Sequence, residues 1–239
     1  MQSQGKQSMN LIHLYPVAPA LPAESLDRYR VIQSSAVSDS MERTSGATGI
    51  LPVGNSLSSL NGNSMVGTAM TVRTRPGDNL AVHQALDLAR PGDVLVIDAR
   101  GETVNAILGE LMSQYAASRG IAGIVVDGAI RDFDAISAGP IPVFSRGVSH
   151  LGPYKSGPGA LHAEVTIGGC VVRDGDLILG DADGIVIVPP HRLDAVLDSA
   201  ETIQGNEVGA REAITAGTWD RSWLDGAVNL IPVDPTDAQ

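Results

Sequence analysis

Two short apolar runs, Val94-Leu95-Val96-Ile97 and Ile124-Val125-Val126, flank a helical stretch, and this unit restricts the possible folds more than any other part of the chain. A strand with one wet face alternates polar and apolar residues, whereas uninterrupted runs of this kind are covered on both faces. Between them, Leu111 to Ser118 has helical spacing, and Gly120 suits the left-handed position that follows a helix. The strands are read as Asp93 to Ala99 and Ala122 to Val126. Strand, helix and strand in this order predict a parallel pair. The crossover is right-handed, because a right-twisted strand lets the helix pack back on the sheet only that way.

The flanking sequence extends this pattern and then changes it. Ser25 is placed to cap a helix running to about Met41, with Leu26, Tyr29, Ile32 and Val37 apolar. Met65 to Thr74 suits a strand, Gly77-Asp78 a turn, and Asn79 to Ala89 a helix stopped by Pro91-Gly92. From Pro142 to Pro189, short β-branched runs separated by Gly, Asp and Pro predict hairpins and a meander. A last helix from Arg192 to about Ala216 ends at Gly217. The expected fold is a layered α/β domain with a mixed sheet over residues 23–217. A Pro-rich extended arm, 1–22, precedes it, suited to lie on a neighbouring subunit, and a tail, 218–239, carries both tryptophans.

Composition narrows the function. The net charge of −11 repels nucleic-acid phosphates unless arginines cluster, so no direct nucleic-acid partner is expected. The single cysteine, Cys170, excludes an intrachain disulfide and a thiolate zinc cage. Met1 to Asn10 is too polar for a secretory signal, and no segment is suited to span a bilayer, so a cytoplasmic protein is expected.

Chemistry points to two loops. Arg131-Asp132 lies just beyond a buried strand, where ligands bind in open α/β sheets. Arg131 offers a planar fork for a carboxylate, and Asp132 a hard oxygen for Mg²⁺ or Mn²⁺. Gly109 can open a helix whose first N–H groups, on Glu110, Leu111 and Met112, are left for an anion. If the two strands are parallel, both loops emerge at one edge and Glu110 faces the Arg131–Asp132 pair. Taken singly, an Arg-Asp pair is an ordinary surface turn, and Glu110 simply complements a helix dipole. The acidic cluster Asp174, Asp176, Asp181 and Asp183 lacks the spacing of a calcium loop and reads as two Asp-Gly turns. His83 is expected to pack or cap. His150 and Lys155 lie in a Gly-rich loop that borders the candidate site.

These segments carry a resemblance. GDNLAVHQALDLARPGDVLVIDARGE, GELMSQYAASRGIAGIVVDGAIRD and DADGIVIVP are similar to the class II pyruvate aldolases acting on 4-hydroxy-4-methyl-2-oxoglutarate and 4-carboxy-4-hydroxy-2-oxoadipate. The same RraA-like superfamily includes regulators of ribonuclease E, and some members carry a legacy methyltransferase name. Glu110 and Arg131 are separated by twenty residues, matching the family's acidic residue, twenty spacers and Arg-Asp. The resemblance implies an α/β/β/α sandwich of the swivelling-domain type and a trimer or hexamer with sites at subunit interfaces. It implies that Asp132 ligates a divalent metal, that Arg131 holds the pyruvyl group, and that Glu110 positions a water for proton transfer. The amides of Leu111 and Met112 would bind the substrate carboxylate, with Gly109 allowing close approach. A glutamate from the adjacent subunit approaches the metal in the family, and Glu207 is the candidate here. One position departs from the pattern: Ala135 stands where an acidic residue is common, with Asp134 beside it.

The resemblance implies retro-aldol cleavage of a 4-hydroxy-2-oxo acid to pyruvate and a second oxo acid, with oxaloacetate decarboxylation as a side activity. Of sixteen basic residues only Lys6 and Lys155 are lysines, and neither is set against a buried strand. A Schiff-base aldolase needs a desolvated lysine, so a metal is the expected electrophile. The rival expectation is a catalytically silent regulator that docks on an RNA-processing enzyme. Asp132 favours the enzyme, since several regulators lack the aspartate after the arginine.

Overall fold

The run Val94–Ile97 lies at the centre of the molecule, wholly buried. The computed structural model describes residues 11–232. The chain begins with β1 (Ile12–Leu14), α1 (Ala23–Tyr29), α2 (Ser34–Ser40), β2 (Leu51–Pro52) and β3 (Met65–Thr74). An alternating stretch follows: α3 (Leu80–Leu88), β4 (Asp93–Leu108), α4 (Glu110–Ser118), β5 (Gly123–Ile130) and α5 (Phe133–Ser137). Strands then dominate, as β6 (Val143–Val148), β7 (Gly159–Leu161), β8 (Val165–Ile167), β9 (Cys170–Val172), β10 (Leu177–Asp181) and β11 (Gly184–Val188). The long helix α6 (Leu193–Ala216) and the short α7 (Leu224–Ala227) complete the described chain.

The main sheet is mixed, in the order β1-β7-β3-β4-β5-β6-β2, with the β10–β11 hairpin branching from β3. Strands β3, β4, β5 and β6 are parallel, and the expected β4–β5 pair is among them. Strict alternation along these strands separates three cores. Leu95, Ile97, Ile124 and Val126 face α3, α4 and α5. Val94, Val96 and Val125 point the other way, onto Val165 and Ile167 of β8 and Ile178 and Ile185 of the hairpin. The opposite side of that hairpin, through Leu177, Leu179, Val186 and Val188, packs on α1, α2 and α6. The result is an α/β/β/α sandwich with a mixed sheet. Each of these fully buried aliphatic side chains contributes about 1.5–3 kcal/mol relative to exposure.

Three sequence expectations change. The helix expected from Ser25 to Met41 is two helices, because Asp181 accepts the N–H and the hydroxyl of Ser34, both at 2.7 Å, and starts α2 afresh. The first β-run after Pro142 is no hairpin arm: β6 is a parallel strand of the main sheet, while β8–β9 and β10–β11 are hairpins as expected. Residues 11–22 of the arm lie on the chain's own sheet, where β1 pairs with β7 and the Ala18 N–H is held by Asp174. Met1 to Asn10, including Lys6, lie outside the described residues. Among the described residues, no helix is long and apolar enough to cross a membrane.

Candidate active site

β4 and β5 both run further than the sequence suggested, and this brings two loops together. β4 passes through left-handed Arg100 and Gly101, takes up pairing again at Glu102, and ends at Leu108. β5 ends at Ile130, and the Arg131 N–H bonds the Leu108 carbonyl at 2.9 Å. Gly109 caps α4 in an extended conformation. A Cβ at Gly109 would stand 2.7 Å from Asp132 Oδ2 and 3.1 Å from Arg131 Nε, so glycine alone permits this approach. Asp132 itself is left-handed, with φ 58°, a conformation that only Asn, Asp and Gly adopt readily.

The carboxylate of Asp132 reaches across to α4. Its Oδ2 accepts the Glu110 N–H at 3.0 Å and lies 3.6 Å from Arg131 Nε. The amides of Leu111 and Met112 bond no acceptor among the described residues, which leaves the positive end of α4 open. Glu110 accepts from Gln114 Nε2 at 2.9 Å. Gly109, Glu110, Leu111, Met112, Arg131 and Asp132 all line one cavity of about 390 Å³. The geometry therefore converges the six residues that the sequence singled out on two separate loops.

Three further residues complete the wall. Asn79, at the N-cap of α3, donates to the Ile107 carbonyl at 3.0 Å, while its buried Oδ1 has no partner among the described residues. One turn later His83 presents an equally unpartnered Nε2. Burial, and secondarily the Lys155 ammonium, hold its imidazole below the ordinary value. Of the two residues on the Gly-rich loop expected to border the site, Lys155 lines the cavity and His150 does not. The loop carrying Lys155 is anchored at Asp78, whose Oδ2 accepts the Ser156 and Gly157 N–H groups. The spacing of Asn79 and His83, four residues apart behind the Gly77-Asp78 turn, was the available signal for their shared face. Glu207 stands on α6, in the opposite outer layer, paired with Arg211 at 2.6 Å, and is not part of this cavity within one chain.

Among the described residues no three His, Cys, Asp or Glu side chains group as metal ligands. The donor chemistry still suits a hard cation. Asp132 is 43% exposed, its Oδ1 bonds no described residue, and one carboxylate with a shell of water is a normal environment for Mg²⁺ or Mn²⁺, though not for zinc. Lys155 is exposed, so the desolvation that activates a Schiff-base amine is missing.

The sequence pattern of the RraA-like family, described as Aldolase/RraA, matches residues 34–187. The chain belongs to that family. A putative 4-hydroxy-4-methyl-2-oxoglutarate aldolase of Halalkalibacterium halodurans is 39% identical over 191 residues, covering 80% of this chain and 88% of that protein. Among solved structures, a protein of Pseudomonas syringae pv. tomato superimposes with a TM-score of 0.72 at 26% identity, over 84% of this chain and 96% of that one. Streptomyces coelicolor RraAS2, described as an unusual member of the RNase ES inhibitor RraA family, gives 0.70 at 29% identity, over 80% and 98%. The RraA-like family thus holds both relatives named as aldolases and relatives named as ribonuclease inhibitors. Two members of the acidic cluster have structural duties: Asp174 bonds Ala18, Thr71 and His162, and Asp181 starts α2.

Proposed function

We propose that this chain is a class II aldolase that cleaves a 4-hydroxy-2-oxo acid, such as 4-hydroxy-4-methyl-2-oxoglutarate, to pyruvate and a second oxo acid. The observation that carries this reading is the convergence of Arg131, Asp132 and the open amides of Leu111 and Met112 on one cavity. A 2-oxo acid presents a carboxylate and an adjacent keto oxygen. The two amides take the carboxylate at the helix N-terminus. The Arg131 guanidinium reaches the keto oxygen and stabilises the negative charge that develops there as the C3–C4 bond breaks. Glu110 orients a water that accepts the C4 hydroxyl proton. The resulting enolate is protonated at C3 to give pyruvate.

Asp132 is the residue that would hold a divalent cation, Mg²⁺ or Mn²⁺, with Glu207 of a neighbouring copy as a candidate second carboxylate. Such an ion supplies Lewis-acid polarisation of the keto group. Asn79, His83 and Lys155 face the part of the cavity where the distal end of the substrate lies, and Lys155 complements a second carboxylate there. This reading goes with a homotrimer or hexamer in the cytoplasm, supported by the family membership and by a single free cysteine.

The test is pyruvate release from 4-hydroxy-4-methyl-2-oxoglutarate and from oxaloacetate, with Mg²⁺, with a chelator, and in Arg131→Lys. Metal-dependent release that falls about a hundredfold or more in Arg131→Lys is expected, since an ammonium does not reproduce the guanidinium fork. Release unaffected by the chelator would remove the metal from the mechanism. No release from either substrate, with tight capture of an RNA-processing enzyme, would make the chain a regulator.

A further inference from the structure

A second cavity, of about 300 Å³, opens at the end of β3 and shares no residue with the Arg131 pocket. His13, Arg73, Arg75 and Arg100 line it, and no carboxylate does. The sheet register assembles them. His13 on β1 and Arg73 on β3 both pair with Ala160 of the intervening β7, so their side chains share a face with only a methyl group between. Arg100 enters from the turn in β4, where it and Gly101 are both left-handed.

The neighbouring carboxylates are already engaged. Asp78 is buried and pairs with Arg75 at 3.3 Å while accepting the N–H groups of Leu80, Ser156 and Gly157. Asp98, opposite Arg73 in the β3–β4 register, accepts the Arg100 N–H at 2.8 Å. Arg75 also lies over the Tyr154 ring, 5.7 Å from its centre. The guanidinium groups of Arg73 and Arg100 have neither an ion pair nor a hydrogen bond among the described residues. In a chain of net charge −11, the three guanidiniums of Arg73, Arg75 and Arg100 against the two neighbouring carboxylates of Asp78 and Asp98 leave a local positive excess at this cavity.

We propose that this cavity is a binding site for a small oxyanion carrying two or more negative charges, a di- or tricarboxylate or a phosphate. The planar forks of Arg73 and Arg100 each donate two parallel hydrogen bonds to oxygens of the anion. Arg75, kept in place by Asp78 and Tyr154, closes the third side, and His13 bounds the fourth. A monovalent carboxylate satisfies only one fork. The site stands independently of the aldolase reading, since none of its residues belongs to that pocket.

Calorimetric titration of the full chain tests this, with citrate, with inorganic phosphate, and with acetate at matched ionic strength. The Arg131→Ala background weakens the other anion-binding pocket, and the arginine variants of this cavity assign the binding that remains. Citrate or phosphate is expected to bind that variant at one site per chain, and acetate is not. Adding Arg73→Gln or Arg100→Gln weakens binding about tenfold or more, the loss of a charge-assisted hydrogen bond. Thermal melts without anion establish that each variant is folded. Should Arg73→Gln fail to fold, the exposed Arg100 carries the test alone. Binding of citrate alone identifies a carboxylate ligand, and of phosphate alone a phosphate. Absence of binding by both in Arg131→Ala, or binding unchanged in the arginine variants, overturns the proposal.

Discussion

The Asp132 carboxylate accepts the Glu110 backbone N–H at 3.0 Å, so the residue just past β5 caps the helix that follows β4. One side chain therefore locks the geometry of the site and offers it an anionic oxygen. The two duties separate by substitution. In Asp132→Asn the amide oxygen keeps the cap, and Asn tolerates the left-handed backbone; in Asp132→Ala both are lost. We expect Asp132→Asn to melt near the parent and Asp132→Ala to lose about 1–2 kcal/mol. Both should lose pyruvate release by about a hundredfold or more. Full activity in Asp132→Asn would show that the negative charge is dispensable.

Gly109→Ala tests the close approach of the two loops. The backbone there is extended, so alanine adds no torsional strain. Its methyl instead displaces Asp132 Oδ2 and Arg131 Nε, which stand 2.7 and 3.1 Å from the Cβ position. Both are ends of partly exposed side chains that can swing away, so the stability loss should not exceed the about 1–2 kcal/mol of the Asp132 cap. Activity should fall about a hundredfold, the usual cost of a misplacement near 1 Å. Paired kinetics and melting curves check the split, and a large loss of stability with unchanged activity would contradict it.

The parts of this fold that were legible in the sequence rest on contacts close in the chain. The apolar runs of β4 and β5 and the turn residues Gly120 and Gly217 dictate their conformations locally. Arg131-Asp132 and the Gly109–Met112 helix start were legible for the same reason, since the end of a parallel strand is where a site forms. The break between α1 and α2 was not legible, because Asp181, 147 positions away, makes it. The entry of Lys155 into the pocket depends in the same way on Asp78, 78 positions before Ser156. Long-range capping by a carboxylate leaves no periodic trace in either partner.

His83 gives the pocket a pH signature. Burial is the main cause that lowers its pKa from 6.5, and Lys155 adds to it while Asp87 opposes. The unfolded chain takes up this proton near 6.5 and the folded chain only at lower pH. This contribution to stability is therefore complete above 6.5 and is lost as the pH falls through the folded value. His83→Gln should flatten the stability profile in that window. In Lys155→Met the imidazole, followed by NMR titration, should recover only part of the shift. Complete recovery would mean that charge rather than burial governs it.

Asp174 and Asp183 look alike in the sequence, each immediately before a glycine, yet they should respond differently to removal. Asp174 Oδ1 accepts the Thr71 N–H at 3.2 Å and meets His162 Nδ1 at 2.8 Å, while Oδ2 accepts the Ala18 N–H at 2.9 Å. Thr71 and His162 are buried, so Asp174→Ala strands polar groups that water cannot reach. Each costs about 1–3 kcal/mol, and the expected total is about 2–5 kcal/mol. The side chain of Asp183 is exposed and holds no described group, so Asp183→Ala should stay within about 0.5 kcal/mol of the parent. Hydrogen exchange supplies the structural readout. The Ala18 amide should lose protection in Asp174→Ala as the arm that carries β1 loosens from β7, and keep it in Asp183→Ala. Equal effects at the two positions would mean that the arm is held by its strand pairing alone.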